Sequence, residues 1–192
     1  MSPALYFLRS SEQRIATNIL KVAARLEEDG LTLEEVPHLR IYDEAYGRSE
    51  SDIGLYAMIG PDVAGGAWVR LFSEEKPGYG FVDANTPELV LGVKAPFRNQ
   101  GIATMLMQQL FIEVARSYAQ MSLCVCTTNP VIALYERLGF TKVKGSQSYN
   151  KKNNTTVITM LKVFEKTTPE YDETKDAANI ALDKNTRGYY GL

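Results

Sequence analysis

The part of the chain best suited to chemistry is residues 98–104, which lie between an apolar run at Glu88–Val93 and a stretch of helical periodicity at residues 101–119. Backbone N–H groups at the start of a helix have no acceptor inside the helix, and the helix dipole adds partial positive charge there. Main-chain amides alone can hold a pyrophosphate at such a place. Gly101 and Ala103 keep the approach to those amides open. The alternative interpretation is that Gly101 only makes a tight turn and Ala103 only packs.

A second informative segment is residues 129–140, with the sequence Asn-Pro-Val-Ile-Ala-Leu-Tyr-Glu-Arg-Leu-Gly-Phe. Its apolar spacing predicts a short helix over residues 130–138. Tyr135 lies in that helix. Taken alone, this segment favours plain core packing for Tyr135, because a tyrosine followed by Leu138 and Phe140 is typical of an apolar helix face.

The two segments together resemble the GNAT superfamily of N-acetyltransferases, closest in kind to its small bacterial members. The first is similar to the signature (Gln/Arg)-x-x-Gly-x-(Gly/Ala) after a strand that ends in valine, here Val93. The second is similar to the family segment Asn…Leu-Tyr-x-x-Leu-Gly-Phe. The resemblance is specific over residues 88–140, and elsewhere it rests on the order of elements.

This resemblance implies a mixed α/β fold of the GNAT type. Its sheet would be twisted and mostly antiparallel, with about six to seven strands, splayed at the central strands and flanked by about four helices. It also implies that acetyl-coenzyme A is the co-substrate. The acetyl group would pass directly to a primary amine of a small molecule, a peptide or a protein, without a nucleophile from the enzyme.

The resemblance further implies which residues bind the coenzyme. The end of the central strand would pair with the pantetheine arm, the following loop and helix start would hold the pyrophosphate, and a residue before the second helix would contact the arm. In that order the residues are Leu91, Gly92 and Val93, then Arg98, Asn99, Gln100, Gly101, Ile102, Ala103 and Thr104, then Asn129. Thr128 stays an alternative to Asn129, because the family asparagine often lies seven residues before the tyrosine.

Two catalytic roles follow from the same resemblance. Tyr135 would protonate the leaving thiolate, and the Val93 amide would polarise the acetyl carbonyl, which stabilises the tetrahedral transition state. Glu88, which opens the central strand, is the candidate general base for the amine. The alternative for Glu88 is a solvated charge at a strand end.

The elements that must position these residues follow from periodicity and turn signals. Helices are predicted from Glu12 to a C-cap at Gly30 and from Thr32 to about Arg48. Strands are predicted at residues 4–8, 53–59, 67–72, 88–93, 121–127, 141–144 and 155–164, with a turn-rich connection over residues 60–66 and a loop over residues 73–87. Trp68 is expected to pack in the core rather than line an acceptor cleft, and His38 is expected at the surface.

Composition limits the partners. Of the 192 residues, 45% are hydrophobic and 23% charged, so we expect one domain, residues 1–164. The net charge of −2, without a basic block, argues against nucleic acid as a partner. No apolar run is long enough for a bilayer and no signal peptide is evident, so we expect a cytoplasmic protein without membrane contact. One histidine and one cysteine pair do not form a common zinc site, so no metal is expected.

Two other predictions concern the tail and the competing functions. Residues 165–192 are predicted to be an appended tail, with Tyr189 and Tyr190 packing on a second subunit of a homodimer. A non-catalytic acyl-coenzyme A sensor is the alternative function, against which an intact Tyr135 argues. A dinucleotide-binding domain is excluded by the lack of Gly-x-Gly-x-x-Gly after the strand.

Overall fold

The computed structural model describes residues 2–150 and 155–165, and within them eight strands form one sheet. The strands are β1 (Ala4–Phe7), β2 (Ile53–Ile59), β3 (Asp62–Arg70), β4 (Glu88–Val93), β5 (Gln120–Cys126), β6 (Thr141–Lys142), β7 (Ser148–Asn150) and β8 (Thr155–Val163). The helices are α1 (Gln13–Ala23), α2 (Leu26–Asp29), α3 (Ile102–Ala115) and α4 (Ile132–Arg137). The sheet order is β1-β2-β3-β4-β5-β8-β6, with β7 also paired to β8. The predicted mixed α/β fold is confirmed.

The sheet is split in the middle, as predicted. Every strand pair is antiparallel except β4 and β5, which run parallel and meet at a single residue pair, Glu88 and Ser122. Beyond that pair β4 continues along β3, whereas β5 follows β8 over its whole length. The two central strands therefore open toward the C-terminal end of β4.

A separate core covers each face of the sheet. On one face α3 buries Ile102, Leu106, Met107, Leu110 and Val114, whose spacing of three or four residues forms one helix stripe. On the other face α1 lies close to β4, because Gly92 has no side chain there; a Cβ would lie 2.8 Å from the Ile19 carbonyl oxygen. These two helices fix the position of the opening between β4 and β5.

The predicted first helix is broken. α1 ends at Ala23, Arg25 adopts a left-handed conformation with φ of 57°, and the short α2 follows. Gly30 is the C-cap of α2, with φ of 66°, which confirms the predicted helix end. The pattern of apolar residues continues through the break because α1 and α2 pack on the same core.

The predicted second helix over residues 32–48 is wrong. Thr32 and Glu35 have the spacing of a capping box, of which half forms: the Glu35 carboxylate accepts from the Thr32 amide at 2.8 Å and from its hydroxyl at 2.9 Å, whereas the Glu35 amide donates to the Thr32 carbonyl at 3.2 Å. The chain then makes turns and a 3₁₀ helix at Pro37–Tyr42. Pro37 disfavours helical geometry at the preceding residue and lacks an N–H donor, and Ala45 has a left-handed φ of 52°.

Contacts distant in sequence hold this irregular segment on β3. Arg70 donates to both carboxylate oxygens of Asp52 at 2.8 Å, and to the carbonyl oxygens of Ile41 at 3.0 Å and Glu44 at 2.7 Å. The Asp52 side chain is fully buried, and that of Arg70 is 12% exposed. The Arg70 guanidinium therefore holds Ile41, Glu44 and Asp52 in place. Helical propensity alone does not order this segment.

Arg70→Ala is expected to lower the free energy of unfolding by about 3 to 5 kcal/mol, because it leaves the buried Asp52 charge without its partner. Urea denaturation followed by circular dichroism measures this loss. Arg116→Ala is the control, since Arg116 is 69% exposed and pairs with Glu113 at the surface. Equal effects of the two substitutions would contradict the anchoring role of Arg70.

The connection between β2 and β3 is much shorter than the predicted residues 60–66. β3 begins at Asp62, so the turn consists of Gly60 and Pro61. The small residues after Val63 resemble a turn in sequence, but they are buried strand positions covered on both faces.

α3 ends at Ala115 rather than at residue 119. Residues 166–192 of the predicted tail, with Tyr189 and Tyr190, lie outside the described residues.

Candidate active site

The loop before α3 presents a run of free backbone amides. In the described part of the chain, the N–H groups of residues 99–104 have no acceptor, and the first one bonded is that of Met105, to the Gly101 carbonyl at 3.0 Å. Asn99 and Gly101 have left-handed φ values of 61° and 79°. Successive N–H groups in such a turn form a concave anion site, which the helix dipole strengthens. The geometry therefore fits a pyrophosphate at this position.

Gly101 keeps the space over these amides open. A Cβ built on it meets nothing within 4 Å, so the residue borders open space rather than a packed neighbour. Its positive φ also disfavours other L-residues. The backbone of Gly101 does make a turn, as the alternative interpretation held. The open space above the residue also leaves room for a ligand.

The polar side chains of this loop hold the loop itself in place. Arg98 donates from Nε to the Val93 carbonyl at 3.0 Å and from Nη1 to the Glu28 carboxylate at 2.7 Å. The hydrogen bond from Arg98 is the main cause that lowers the pKa of Glu28. Gln100 donates to the Pro96 carbonyl at 3.0 Å. Anion binding is thus left to the backbone amides.

The edge of β4 that faces the opening has main-chain groups available for pairing. Lys94, just after β4, donates its N–H to the Ala64 carbonyl across β3 at 2.9 Å. Hydrogen-bond direction alternates along an antiparallel strand, so the amides of Leu91 and Val93 point the other way. β5 is no longer paired with β4 there. Gly92 directs its amide at β3, and its Cα faces α1.

Tyr135 of α4 lies at the α3 face of the sheet. Its side chain is 7% exposed, and its ring packs edge-on against Phe140 with centroids 5.6 Å apart. Burial raises the pKa of the Tyr135 hydroxyl, which therefore keeps its proton at neutral pH. Among the described residues the hydroxyl has no hydrogen-bond partner. The tyrosine is both packed and free to donate a proton.

Asn129 and Thr128 occupy the turn between β5 and α4. The Asn129 side-chain oxygen accepts from the Val131 amide at 3.0 Å, and the Asn129 amide donates to the Cys126 carbonyl at 2.9 Å. The Thr128 hydroxyl lies 3.2 Å from the Cys126 sulfur. Asn129 shapes the start of α4, and its contact with a pantetheine arm stays a prediction, as does that of Thr128.

Glu88 is buried, so its interpretation as a solvated charge is wrong. The residue is 2% exposed, and its Oε1 accepts from the Tyr42 hydroxyl at 2.7 Å and the Gly80 amide at 2.8 Å. Burial raises the pKa of Glu88 to about 7, although these two hydrogen bonds lower it. Gly78 of the loop over residues 73–87 lies against the carboxylate, since a Cβ built on it would collide with Oε2.

Sequence reasoning missed the partners of Glu88, namely Tyr42 and the loop residues Gly78 and Gly80. Their signal in the sequence is the Pro-Gly-Tyr-Gly run at residues 77–80, in which glycines permit close contact. The two aromatic predictions are confirmed. Trp68 is fully buried, with its indole N–H donating to the Tyr42 carbonyl at 3.1 Å, and His38 is exposed.

Comparisons with known proteins agree with this geometry. Residues 63–142 match the family model described as an acetyltransferase (GNAT) domain. No match was found among curated protein sequences. The matched range contains β3, β4, the amide loop, α3, β5 and α4, which are the elements that build the candidate site.

Solved structures share the fold. A GNAT-family acetyltransferase from Streptococcus pneumoniae has 17% identity and a TM-score of 0.61, covering 85% of this chain and 100% of its own. The ribosomal-protein-S18-alanine N-acetyltransferase of Escherichia coli has 18% identity and a TM-score of 0.62, covering 88% and 98%. YncA, a putative acetyltransferase from Salmonella typhimurium with its cofactor acetyl-CoA, has 16% identity and a TM-score of 0.63, covering 88% and 97%.

The split sheet and the free amides before α3 belong to a fold that this chain shares with solved GNAT acetyltransferases. Residues 63–142 match the GNAT acetyltransferase domain model and the solved structures share the fold, and both findings agree with the predicted family and with the predicted N-acetyltransferase. No helix in residues 2–150 and 155–165 is long and apolar enough to cross a membrane. In the same residues no group of three His, Cys, Asp or Glu side chains could hold a metal ion.

Proposed function

We propose that this protein transfers the acetyl group of acetyl-coenzyme A directly to a primary amine of a small molecule, a peptide or a protein. The observation that carries the proposal is the run of six unpartnered amides, residues 99–104, beside the opening between β4 and β5. The similar Salmonella structure holds acetyl-CoA as its cofactor, which supports the same co-substrate here. The amine itself has no recognisable code in the sequence.

The residues around the opening would divide the chemistry among them. Amides 99–104 hold the pyrophosphate, and the edge of β4 at the Leu91 main chain and the Val93 amide pairs with the extended arm of the coenzyme. The Val93 amide is aimed into the opening, where a fixed donor to the thioester oxygen stabilises the charge that develops there. Glu88 removes the amine proton, and Tyr135 protonates the departing sulfur.

The test of this function is free-thiol release from acetyl-coenzyme A with a panel of polyamines, amino acids, aminoglycosides and peptides. Calorimetric titration with coenzyme A runs beside it. Turnover on one acceptor class establishes the enzyme and names its substrate class. Tight binding without turnover on any amine would favour the acyl-coenzyme A sensor instead, and absence of binding would refute the amide site.

The general base makes a specific prediction for pH dependence. A base works in its ionised form, so kcat/KM is expected to fall as pH decreases through about 7, the pKa of Glu88. Glu88→Gln is expected to lower kcat/KM by roughly 100-fold at pH 8 and to remove this acid limb. Glutamine can still accept from Tyr42 and Gly80 through its side-chain oxygen, so the loop keeps its contacts. A variant with wild-type turnover would exclude Glu88 as the base.

A further inference from the structure

The two oxygens of the Glu88 carboxylate have different surroundings. Oε1 accepts two hydrogen bonds, from the Tyr42 hydroxyl and the Gly80 amide. Oε2 is buried and has no hydrogen-bond partner among the described residues. An unpartnered polar atom in the interior is costly, so this asymmetry is not explained by stability. It leaves Oε1 with two hydrogen-bond donors and Oε2 with none.

Tyr42 is held in place independently of Glu88. Its hydroxyl accepts from the Tyr79 amide at 2.7 Å, and its ring packs edge-on against Phe72 with centroids 5.1 Å apart. Its carbonyl accepts from the Trp68 indole at 3.1 Å. Because the phenol ring and its backbone are both fixed, the hydroxyl has one position from which to donate. The rotation of the Glu88 carboxyl group is fixed in turn.

We propose that Tyr42 is a positioning residue for Glu88, because its hydroxyl, together with the Gly80 amide, occupies Oε1 and leaves Oε2 as the oxygen that accepts the proton. This inference rests on the proposed function. As the amine nitrogen bonds to the acetyl carbon, the carbon–sulfur bond breaks. The amine proton passes to Oε2 of Glu88, and Tyr135 donates a proton to the sulfur.

The surroundings of Oε2 fit a proton-accepting atom. The loop backbone covers it at Gly78, where a Cβ would collide with Oε2 and come within 2.8 Å of the Phe72 ring. Ser122, paired with Glu88 where β4 meets β5, contributes a second buried oxygen without a partner. Directly paired residues present their side chains on the same face of a sheet. Two buried oxygens without hydrogen-bond partners, Glu88 Oε2 and Ser122 Oγ, thus lie at the narrow end of the opening. The backbone of Gly78 covers Oε2.

The other ionisable groups around Glu88 come from β5, from β3 and from the loop that carries Tyr79. From β5, Cys124 faces it, and burial together with the Glu88 charge raises the pKa of that thiol to about 12. Arg70, opposite Glu88 on β3, is paired with Asp52. The Tyr79 ring points to His38 at the surface, with centroids 5.8 Å apart. Glu88 is therefore the buried group of this cluster whose charge changes near neutral pH.

The first test is a nuclear magnetic resonance titration of protein labelled with ¹³C at the glutamate carboxyl groups, with the Glu88 signal assigned by Glu88→Gln. In Tyr42→Phe the Glu88 titration is expected to move upward by about one to two pH units, because a hydrogen bond that favours the charged form is lost. Tyr46→Phe is the matched control, since its hydroxyl is buried and contacts the Leu8 carbonyl instead. That control is expected to leave the titration unchanged.

A second variant allows the inference to be tested even if Tyr42→Phe does not fold. Tyrosine replaced at position 42 by 3,5-difluorotyrosine keeps the ring and donates more strongly, so the Glu88 titration is expected to move downward. Opposite shifts in the two variants support the positioning role. A titration that stays in place in both would overturn it.

Kinetics separate this inference from the proposed function. The acid limb of kcat/KM, measured with the amine that gives the fastest thiol release, is expected to move with the Glu88 titration in Tyr42→Phe. Loss of turnover at every pH with an unmoved limb would make Tyr42 merely structural and contradict the inference. Absence of turnover in the wild type with every amine contradicts the proposed function itself, whatever the Tyr42 titration shows.

Discussion

Gly101→Asp is expected to lower the affinity for coenzyme A by roughly 100-fold or more, because it sets a carboxylate against the pyrophosphate. The side chain would extend into the open space above Gly101, where nothing lies within 4 Å, and would face the six free amides. Aspartate tolerates a left-handed backbone better than most residues, so the fold is expected to persist. Isothermal titration calorimetry with coenzyme A measures the loss.

Two controls separate charge from backbone strain. Gly145→Asp makes the same change at a position with the same φ of 79° and equally open surroundings, away from the amide loop. It is expected to bind coenzyme A as the wild type does. Gly101→Asn introduces a side chain of the same shape without the charge, and we expect an intermediate loss. If Gly101→Asp bound normally, the pyrophosphate site would lie elsewhere.

The amide loop could be predicted from sequence because it is a local structure. A buried strand, a polar turn with glycine and an apolar helix follow one another within about thirty residues, and helix-start chemistry needs no distant partner. The same holds for the split between β4 and β5, which the family resemblance implied and the single pairing of Glu88 with Ser122 confirms. Order along the chain was sufficient for the amide loop, whereas the split followed from the family motifs.

The segment over residues 32–52 could not be predicted in this way. Its first residues make part of a local cap, since the Glu35 carboxylate accepts from the Thr32 amide and hydroxyl. The conformation is nevertheless decided by Arg70, which lies far along the chain and fastens Asp52 and two carbonyl groups. Local propensity is a weak influence when tertiary contacts of this kind compete with it. Only the folded structure brings Arg70 and the segment together.

The surroundings of Glu88 could not be predicted for the same reason, because they depend on residues distant in sequence. Its sequence neighbours are those of any strand beginning, and they do not reveal that Tyr42 and Gly80 approach from two other segments. Their contacts, and not the strand position, determine the burial that raises the pKa of Glu88 to about 7. Sequence therefore singled out Glu88 as a candidate base but gave the wrong surroundings for it.

Tyr135→Phe is expected to lower kcat by roughly 100-fold or more while leaving the affinity for coenzyme A nearly unchanged. The substitution removes only the hydroxyl, and the ring keeps its packing on Phe140. Because the hydroxyl has no hydrogen-bond partner in the described residues, no buried group is left unsatisfied, and the free energy of unfolding is expected to change by less than about 0.5 kcal/mol. The rate of thiol release gives kcat, and calorimetry gives the affinity for coenzyme A.

The control for this variant is Tyr118→Phe, because Tyr118 packs on the same core and its hydroxyl likewise has no hydrogen-bond partner among the described residues. We expect it to retain wild-type kcat. The raised pKa of Tyr135 keeps its proton available across the neutral range, so the loss in Tyr135→Phe is expected to be similar at pH 7 and pH 8. Wild-type turnover in Tyr135→Phe would assign the residue to packing alone, and the proton for the leaving sulfur would then have to come from solvent.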